Sequence, residues 1–206
     1  GGAVVFASGY GEVGPEGRER QRELVEAADR LGIAVMGPNC AGFANFVDGI
    51  FAFAFLVEER ERGGNIGMIS QSGQIVLGGL DSPNMGFSHV ISSGNSCNVK
   101  VEDYLDFLVD DEDTKVVAAY MEGVTKPEKL VAVFQKAALK KKPVVVLKTG
   151  RSAKSQELAK SHTGSLSGAD KVLRAVFKRY GVVEAGDLEE LMSLAAAFSW
   201  LEELPK

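Results

Sequence analysis

The sequence predicts an α/β protein: a flavodoxin-like, doubly wound parallel sheet preceded by the C-terminal part of a Rossmann-like domain. Three observations carry this. Short β-branched runs alternate with amphipathic stretches from end to end. The runs are apolar throughout, as in PVVVLKTG at Pro143–Gly150, which marks strands covered on both faces. Five strand–helix units follow one another from Asn65 to Lys206, the pattern of a parallel sheet between two helical layers.

Taken in order, AVVFASG (Ala3–Gly9) reads as a buried strand. PEGRERQRELVEAADRLG (Pro15–Gly32) reads as a helix, with Pro near its start and Gly as its stop. Leu24, Val25, Ala28 and Leu31 form its apolar stripe. IAVMG (Ile33–Gly37) is a second strand. Residues 38–64 show no clean helical period, and the charged EERERGG at Glu58–Gly64 reads as a linker. The expected division is 1–45 as the remnant of a Rossmann-like domain, 46–64 as linker, and 65–206 as the flavodoxin-like domain. Within 46–64, FVDGIFAFAFLV is apolar enough to dock a partner if exposed, but packing between the two lobes is the preferred reading.

The alternation then restarts. Strands are expected at Asn65–Ser70, Ser88–Gly94, Thr114–Gly123, Pro143–Gly150 and VVEA. Helices are expected from about Gly73 to Leu80, and at Val101–Asp111, Pro127–Lys141, Gly168–Gly181 and Asp187–Glu203, the last begun by an Asp cap. A strand opening at Ala3 with no lead-in suggests a piece of a longer protein.

Composition narrows the function. The net charge is −5 and no basic block stands out, so nucleic acid is not an expected partner. LKKKP at Leu139–Pro143 looks like a solvated helix end. The two cysteines, Cys40 and Cys97, form no CxxC pair, which argues against a zinc site and a disulfide framework and fits a cytoplasmic protein. No apolar run is long enough for a bilayer, and no metal site is expected.

In open α/β sheets, sites form beyond the carboxyl ends of the strands. The residues there are Ser8-Gly9-Tyr10, Pro38-Asn39-Cys40, Ser70-Gln71-Ser72-Gly73, Gly94-Asn95, Glu122-Gly123 and the loop around His162. SQSGQ opens a helix with two hydroxyls and a glycine. It is either a plain Ser N-cap or an anion site built from free N–H groups and a positive dipole end. Glu122 closes YMEG. It is either a turn glutamate facing solvent or a carboxylate that orients an imidazole and fixes its tautomer. The chain has two histidines. His89, in FSHVISS, reads as a surface residue of no consequence. His162, in SHTGS, sits among small residues that permit close approach of a charged group. A nucleophilic histidine, an orienting glutamate and an anion-binding helix start together make a phosphohistidine site.

The order of GPNCAGFAN, GNIGMISQSGQ, SSGN, YMEGV, LKTGRSAKSQELAKSHTGSLSGADKV and GVVEAGDLEEL resembles the α-type part of the nucleoside-diphosphate-forming acyl-CoA synthetases. That superfamily includes the ADP-forming acetyl-CoA synthetases and the α subunit of succinyl-CoA synthetase. The likeness covers essentially the whole chain, and SHTGS is specific for the acetyl-CoA-type branch, the succinyl branch having GHAG. The resemblance implies that acyl-CoA and phosphate give an acyl-phosphate and CoA, with the phosphoryl group passing to His162 and then to a nucleoside diphosphate. It implies Glu122 as the partner of His162, and Ser70, Ser72 and Gly73 as the phosphate-binding helix start. It implies a coenzyme A site at Ser8, Gly9, Pro38, Asn39 and Cys40. ADP or ATP and Mg²⁺ would be held by an ATP-grasp domain, absent here, in a β-type region or subunit, giving an oligomeric assembly. The Gly-rich opening unit of the CoA domain is also absent, the helix after SQSG is short, and Asn98 stands where an Asp is expected. Two other readings remain: a metabolite-sensing module of a multidomain protein such as an acetyltransferase fusion, and a generic flavodoxin-like domain for a nucleotide or flavin.

Overall fold

The computed structural model describes residues 1–55, 63–82, 85–149 and 167–201. Two short strands, β1 (Gly2–Val4) and β2 (Ala34–Met36), pair in parallel around helix α1 (Pro15–Leu31). Pro15 starts α1, where the missing N–H costs nothing. Gly32 ends it in the left-handed conformation, φ 61°, and its N–H bonds back to Ala28 and Asp29. Leu24, Val25 and Ala28 pack toward Val35 as the stripe requires. Leu31 does not: it is 65% exposed, because two short strands leave the last turn of the helix nothing to cover.

Among the described residues the second sheet has seven strands, β3 (Gly42–Asn45), β4 (Ile50–Phe53), β5 (Ile66–Ser70), β6 (Phe87–Ser92), β7 (Val116–Met121), β8 (Val144–Lys148) and β9 (Val183–Glu184), in the order β4-β3-β6-β5-β7-β8-β9. From β6 to β9 every pairing is parallel. The parallel part is a flavodoxin-like doubly wound sheet, its first strand lying between the second and the third.

Helices cover both faces, which is why the strands are apolar throughout. On one face Ile69, Ile91, Val117, Ala119, Val144 and Val146 pack under α3 (Val101–Asp110), α4 (Pro127–Leu139) and α5 (Ser167–Tyr180). On the other, Met68, Val90, Ala118 and Val145 pack under α2 (Gly73–Leu80) and α6 (Leu188–Trp200). Asp187 caps α6 as expected, accepting the Glu190 N–H at 2.8 Å.

The expected linker at 46–64 is corrected in part. β3 and β4 form an antiparallel hairpin, and β3 pairs antiparallel with β6, Gly42 facing Ser92. The boundary at residue 45 therefore cuts a hairpin that belongs to the large sheet. Its turn is built by Asn45, whose Oδ1 accepts the N–H of Val47 and Asp48, both at 3.0 Å. GFANFVDGIFAF hid this, because its apolar residues fall on both faces and leave no alternating pattern. Over its described residues the segment is not wholly packed away between lobes: Phe46 and Phe53 rest on the core, the rest less so. β4 is the edge of the sheet, and Ile50 and Phe51 are each more than half exposed.

His89 is also corrected. It is 6% exposed, in the middle of β6, with Nδ1 3.4 Å from Asp111 Oδ2 and its ring edge-on to Phe107. Thr114 completes the cluster, donating to Asp111 Oδ2 at 2.6 Å and sharing a hydrogen bond with Ser88 at 2.7 Å.

Asp103, Asp106 and Asp110 of α3 face Lys129, Lys136 and Lys140 along α4. Within LKKKP, Lys142 is not simply solvated. It donates to the Leu108 and Asp111 carbonyls at the end of α3, and burial pushes its pKa down. Hydrogen bonds from Lys136 and Lys140 hold the Asp110 carboxyl at about 2. The folded state thus takes up this proton less readily than the unfolded chain. The contribution is complete above about pH 4 and disappears as pH falls toward about 2. Asp110 lies at the surface, so salt screens the effect. Melting temperatures between pH 5 and pH 2 are expected to fall less steeply for Asp110→Asn than for wild type at low salt. Equal slopes would remove the assignment.

Candidate functional site

β5 and β7 lie side by side but lead to helices on opposite faces, so the sheet reverses direction at their carboxyl ends. Such a switch point leaves a crevice. Here the crevice is a cavity of about 680 Å³, walled by the β5–α2 turn, the β6 turn, the end of β7 and the loops at 6–12 and 39–41.

Ser72 and Gly73 line this cavity. Ser72 is the extended N-cap of α2, φ −110° and ψ 125°, and its hydroxyl makes no capping bond. The first-turn N–H groups of α2 thus lack the usual side-chain acceptor, and the helix presents its positive end at the cavity wall. Ser70 sits differently. It is fully buried, its hydroxyl donating to the Ser72 carbonyl at 2.7 Å and accepting the Ser72 N–H at 3.0 Å. It shapes the turn from beneath and does not line the cavity.

Glu122 and Gly123 also line the cavity. Gln71 Oε1 accepts the N–H of Glu122 at 2.6 Å and of Gly123 at 3.0 Å. Lys148 Nζ donates to the Glu122 carbonyl at 2.8 Å. His162 lies outside the described residues, so its place relative to Glu122 is not part of this geometry.

The residues expected to bind CoA divide. Asn39 and Cys40 line the cavity. Asn39 is exposed at φ 57° and reaches Asn95 Oδ1 at 3.3 Å. Cys40 is buried, donates to the Val5 carbonyl at 3.4 Å, and has its pKa raised mainly by burial, so it stays a thiol. Pro38 is buried behind them, its carbonyl accepting the Asn95 N–H at 2.9 Å. Ser8 and Gly9 stand outside the cavity wall. Gly9 instead donates to Glu12 Oε1 at 2.5 Å and accepts from Arg20 at 2.6 Å.

Glu12, Phe6, Phe55 and Leu77 also line the cavity and were not singled out from the sequence. Glu12 takes N–H donors from Gly9 and Tyr10 and the Asn95 amide at 2.5 Å. Desolvation pushes its pKa up, but these hydrogen bonds outweigh it and hold the carboxyl below the usual range. A carboxylate so used ties the first loop to the β6 turn. The one signal for it was a lone acid in GYGEVG.

Asn98 has a definite role. Its Oδ1 accepts the Val35 N–H at 2.9 Å and its Nδ2 donates to Asp29 Oδ1 at 3.1 Å, bridging the small βαβ unit to the large sheet. An aspartate could accept from Val35 but would face Asp29 charge against charge, so amide and Asp29 fit as a pair.

The fold and crevice define an α/β domain of the doubly wound type, with the start of α2 and Glu122 both lining the cavity at its switch point. Residues 63–198 match the succinyl-CoA ligase like flavodoxin domain, and the chain belongs to that family. It is 38% identical to the acetate–CoA ligase [ADP-forming] II subunit alpha of Pyrococcus furiosus, over 100% of this chain and 44% of that protein. It is 41% identical to acetate–CoA ligase [ADP-forming] I of Archaeoglobus fulgidus, over 94% of this chain and 28% of that protein. A dinucleotide forming acetyl-coenzyme A synthetase 1 from Ca. Korarchaeum cryptofilum, solved in complex with phosphate and ADP, superposes with a TM-score of 0.82 at 32% identity, over 97% of this chain and 43% of that one. The chain thus spans less than half the length of these relatives.

Proposed function

We propose that this chain is the acyl- and phosphoryl-transfer part of an acid–thiol ligase, an NDP-forming acyl-CoA synthetase. The full-length protein interconverts acyl-CoA, NDP and phosphate with the acid, CoA and NTP. The observation that carries this is the placing of the α2 N-terminus and Glu122 on one cavity at the switch point. The names of the relatives support the same chemistry.

A phosphate oxygen attacks the thioester carbonyl, the C–S bond breaks, and CoA leaves as a thiol after taking up a proton. An imidazole nitrogen of His162 attacks phosphorus of the acyl-phosphate and the carboxylate of the acid leaves. The NDP terminal oxygen then takes the phosphoryl group from His162. The N-terminal dipole of α2, with Ser72 and Gly73, neutralises phosphate charge during in-line transfer. Glu122 accepts the imidazole N–H and keeps the other nitrogen nucleophilic. Ser70 acts by holding the turn. Asn39 and Cys40, with Pro38 behind them, form the thioester side of the cavity, and Ser8 and Gly9 serve CoA from the outer loop.

The βαβ unit at the start of the chain belongs, in this proposal, with a CoA-binding Rossmann-like domain. NDP and Mg²⁺ belong with an ATP-grasp domain or subunit. Among the described residues no cluster of three or more His, Cys, Asp or Glu is placed to hold a metal, so no residue here is assigned to Mg²⁺. Among them also no helix is long and apolar enough to cross a membrane, and a cytoplasmic enzyme is part of the same proposal. The test is ATP formation by the purified full-length protein from acetyl-CoA, ADP and phosphate, followed by a panel of other acyl-CoAs. Turnover with any of them supports the reading, and none with all of them counts against it.

A further inference from the structure

The residue between Ser70 and Ser72 makes more contacts across the crevice than either serine. The Gln71 N–H donates to the Tyr120 carbonyl at 3.2 Å. Its side-chain oxygen accepts from both Glu122 and Gly123, filling both lone pairs. One residue therefore holds the end of β7 through main chain and side chain together, and the next residue is the N-cap of α2.

The far end of the same loop is fixed as well. Glu102 is fully buried, and its Oε1 accepts the N–H of Thr125 at 2.7 Å and of Lys126 at 2.9 Å, at the start of α4. Held at both ends by side chains from other elements, the loop at 122–126 has little freedom. Of the two clamps, only Gln71 joins the loop to the helix start. A shift of the α2 first turn is passed to the Glu122 backbone through Gln71, by its N–H at Tyr120 and its amide oxygen at Glu122 and Gly123.

We infer that Gln71 is a positioning residue that fixes the spacing between the anion-binding start of α2 and the backbone that carries Glu122. This rests on the function proposed above. Glutamine suits this position because its oxygen accepts two N–H groups without placing charge beside Gly73. Asparagine is one methylene too short, and glutamate keeps the acceptor but adds a negative charge to the wall.

The test uses the full-length protein with acetyl-CoA, ADP and phosphate. Gln71→Ala is expected to lower kcat by about 10- to 100-fold, the cost of misplacing a catalytic group, and to leave the acetyl-CoA KM within about twofold. In a Glu122→Ala background the same change is expected to add almost nothing, because Gln71 acts through Glu122. Gln71→Glu is expected to restore most of kcat while raising the phosphate KM, and it decides the matter if Gln71→Ala does not fold. A general structural role predicts instead an added loss in the Glu122→Ala background and no recovery with glutamate. Either result, or a Gln71→Ala enzyme like wild type, would overturn the inference. A Glu122→Ala enzyme with full activity would overturn the proposed role of Glu122 itself, which is a separable outcome.

Discussion

His162→Ala in the full-length protein is expected to abolish ATP formation from acetyl-CoA, ADP and phosphate. The loss should be on the order of 10⁴-fold or more, the scale seen when a covalent nucleophile is removed. Acyl-CoA binding should survive, because the cavity walls come from Ser72, Gly73, Asn39, Cys40 and Glu122. Isothermal titration with acetyl-CoA beside the coupled assay separates the two. A variant that keeps a tenth of wild-type turnover would mean that the phosphoryl group does not pass through this histidine.

Among the glycines that line the cavity, Gly94 is expected to tolerate alanine least. Gly94 has φ 54°, and an added Cβ would lie 2.4 Å from the carbonyl oxygens of both Pro38 and Asn39. Those atoms cannot retreat easily, since the Pro38 carbonyl accepts the Asn95 N–H and Cys97 N–H bonds the Gly37 carbonyl at 3.0 Å. The methyl would force the β6 turn away from the 38–40 loop. Left-handed strain and overpacking together should cost about 3 kcal/mol. The denaturant midpoint measures this, and a change of under about 0.5 kcal/mol would show that the two loops part without penalty. Because Asn39 and Asn95 move apart in the variant, acyl-CoA affinity should fall with stability.

The parallel sheet was legible in the sequence because its strands are buried on both faces and so read as unbroken apolar runs. Ile66–Ser70, Val116–Met121 and Val144–Lys148 all fall within the expected strands. The hairpin at Gly42–Phe53 was not legible. Its aromatic residues point both inward and outward, so neither a period of 2 nor of 3.6 emerges. His89 misled for a related reason: a lone histidine near a strand start reads as exposed, and its partner Asp111 is more than twenty residues away in the chain. At the cavity, Ser72, Gly73 and Glu122 could be found because topology alone places strand ends there. Glu12 reaches the Asn95 amide and Gln71 the Glu122 and Gly123 N–H groups, all distant in the chain, and one sequence does not show which far-off N–H a side chain will meet.

The proposed function requires a phosphoryl group to rest on His162 between an acyl-phosphate and a nucleotide. The most direct measurement is labelling of the full-length protein, once with γ-labelled ATP and Mg²⁺ and once with labelled phosphate and acetyl-CoA, wild type beside His162→Ala. Acid-labile, base-stable label is expected on wild type from both sources and on the variant from neither. Absence of label on well-folded wild-type protein from both sources would contradict the account and bring forward a metabolite-sensing role for the same cavity.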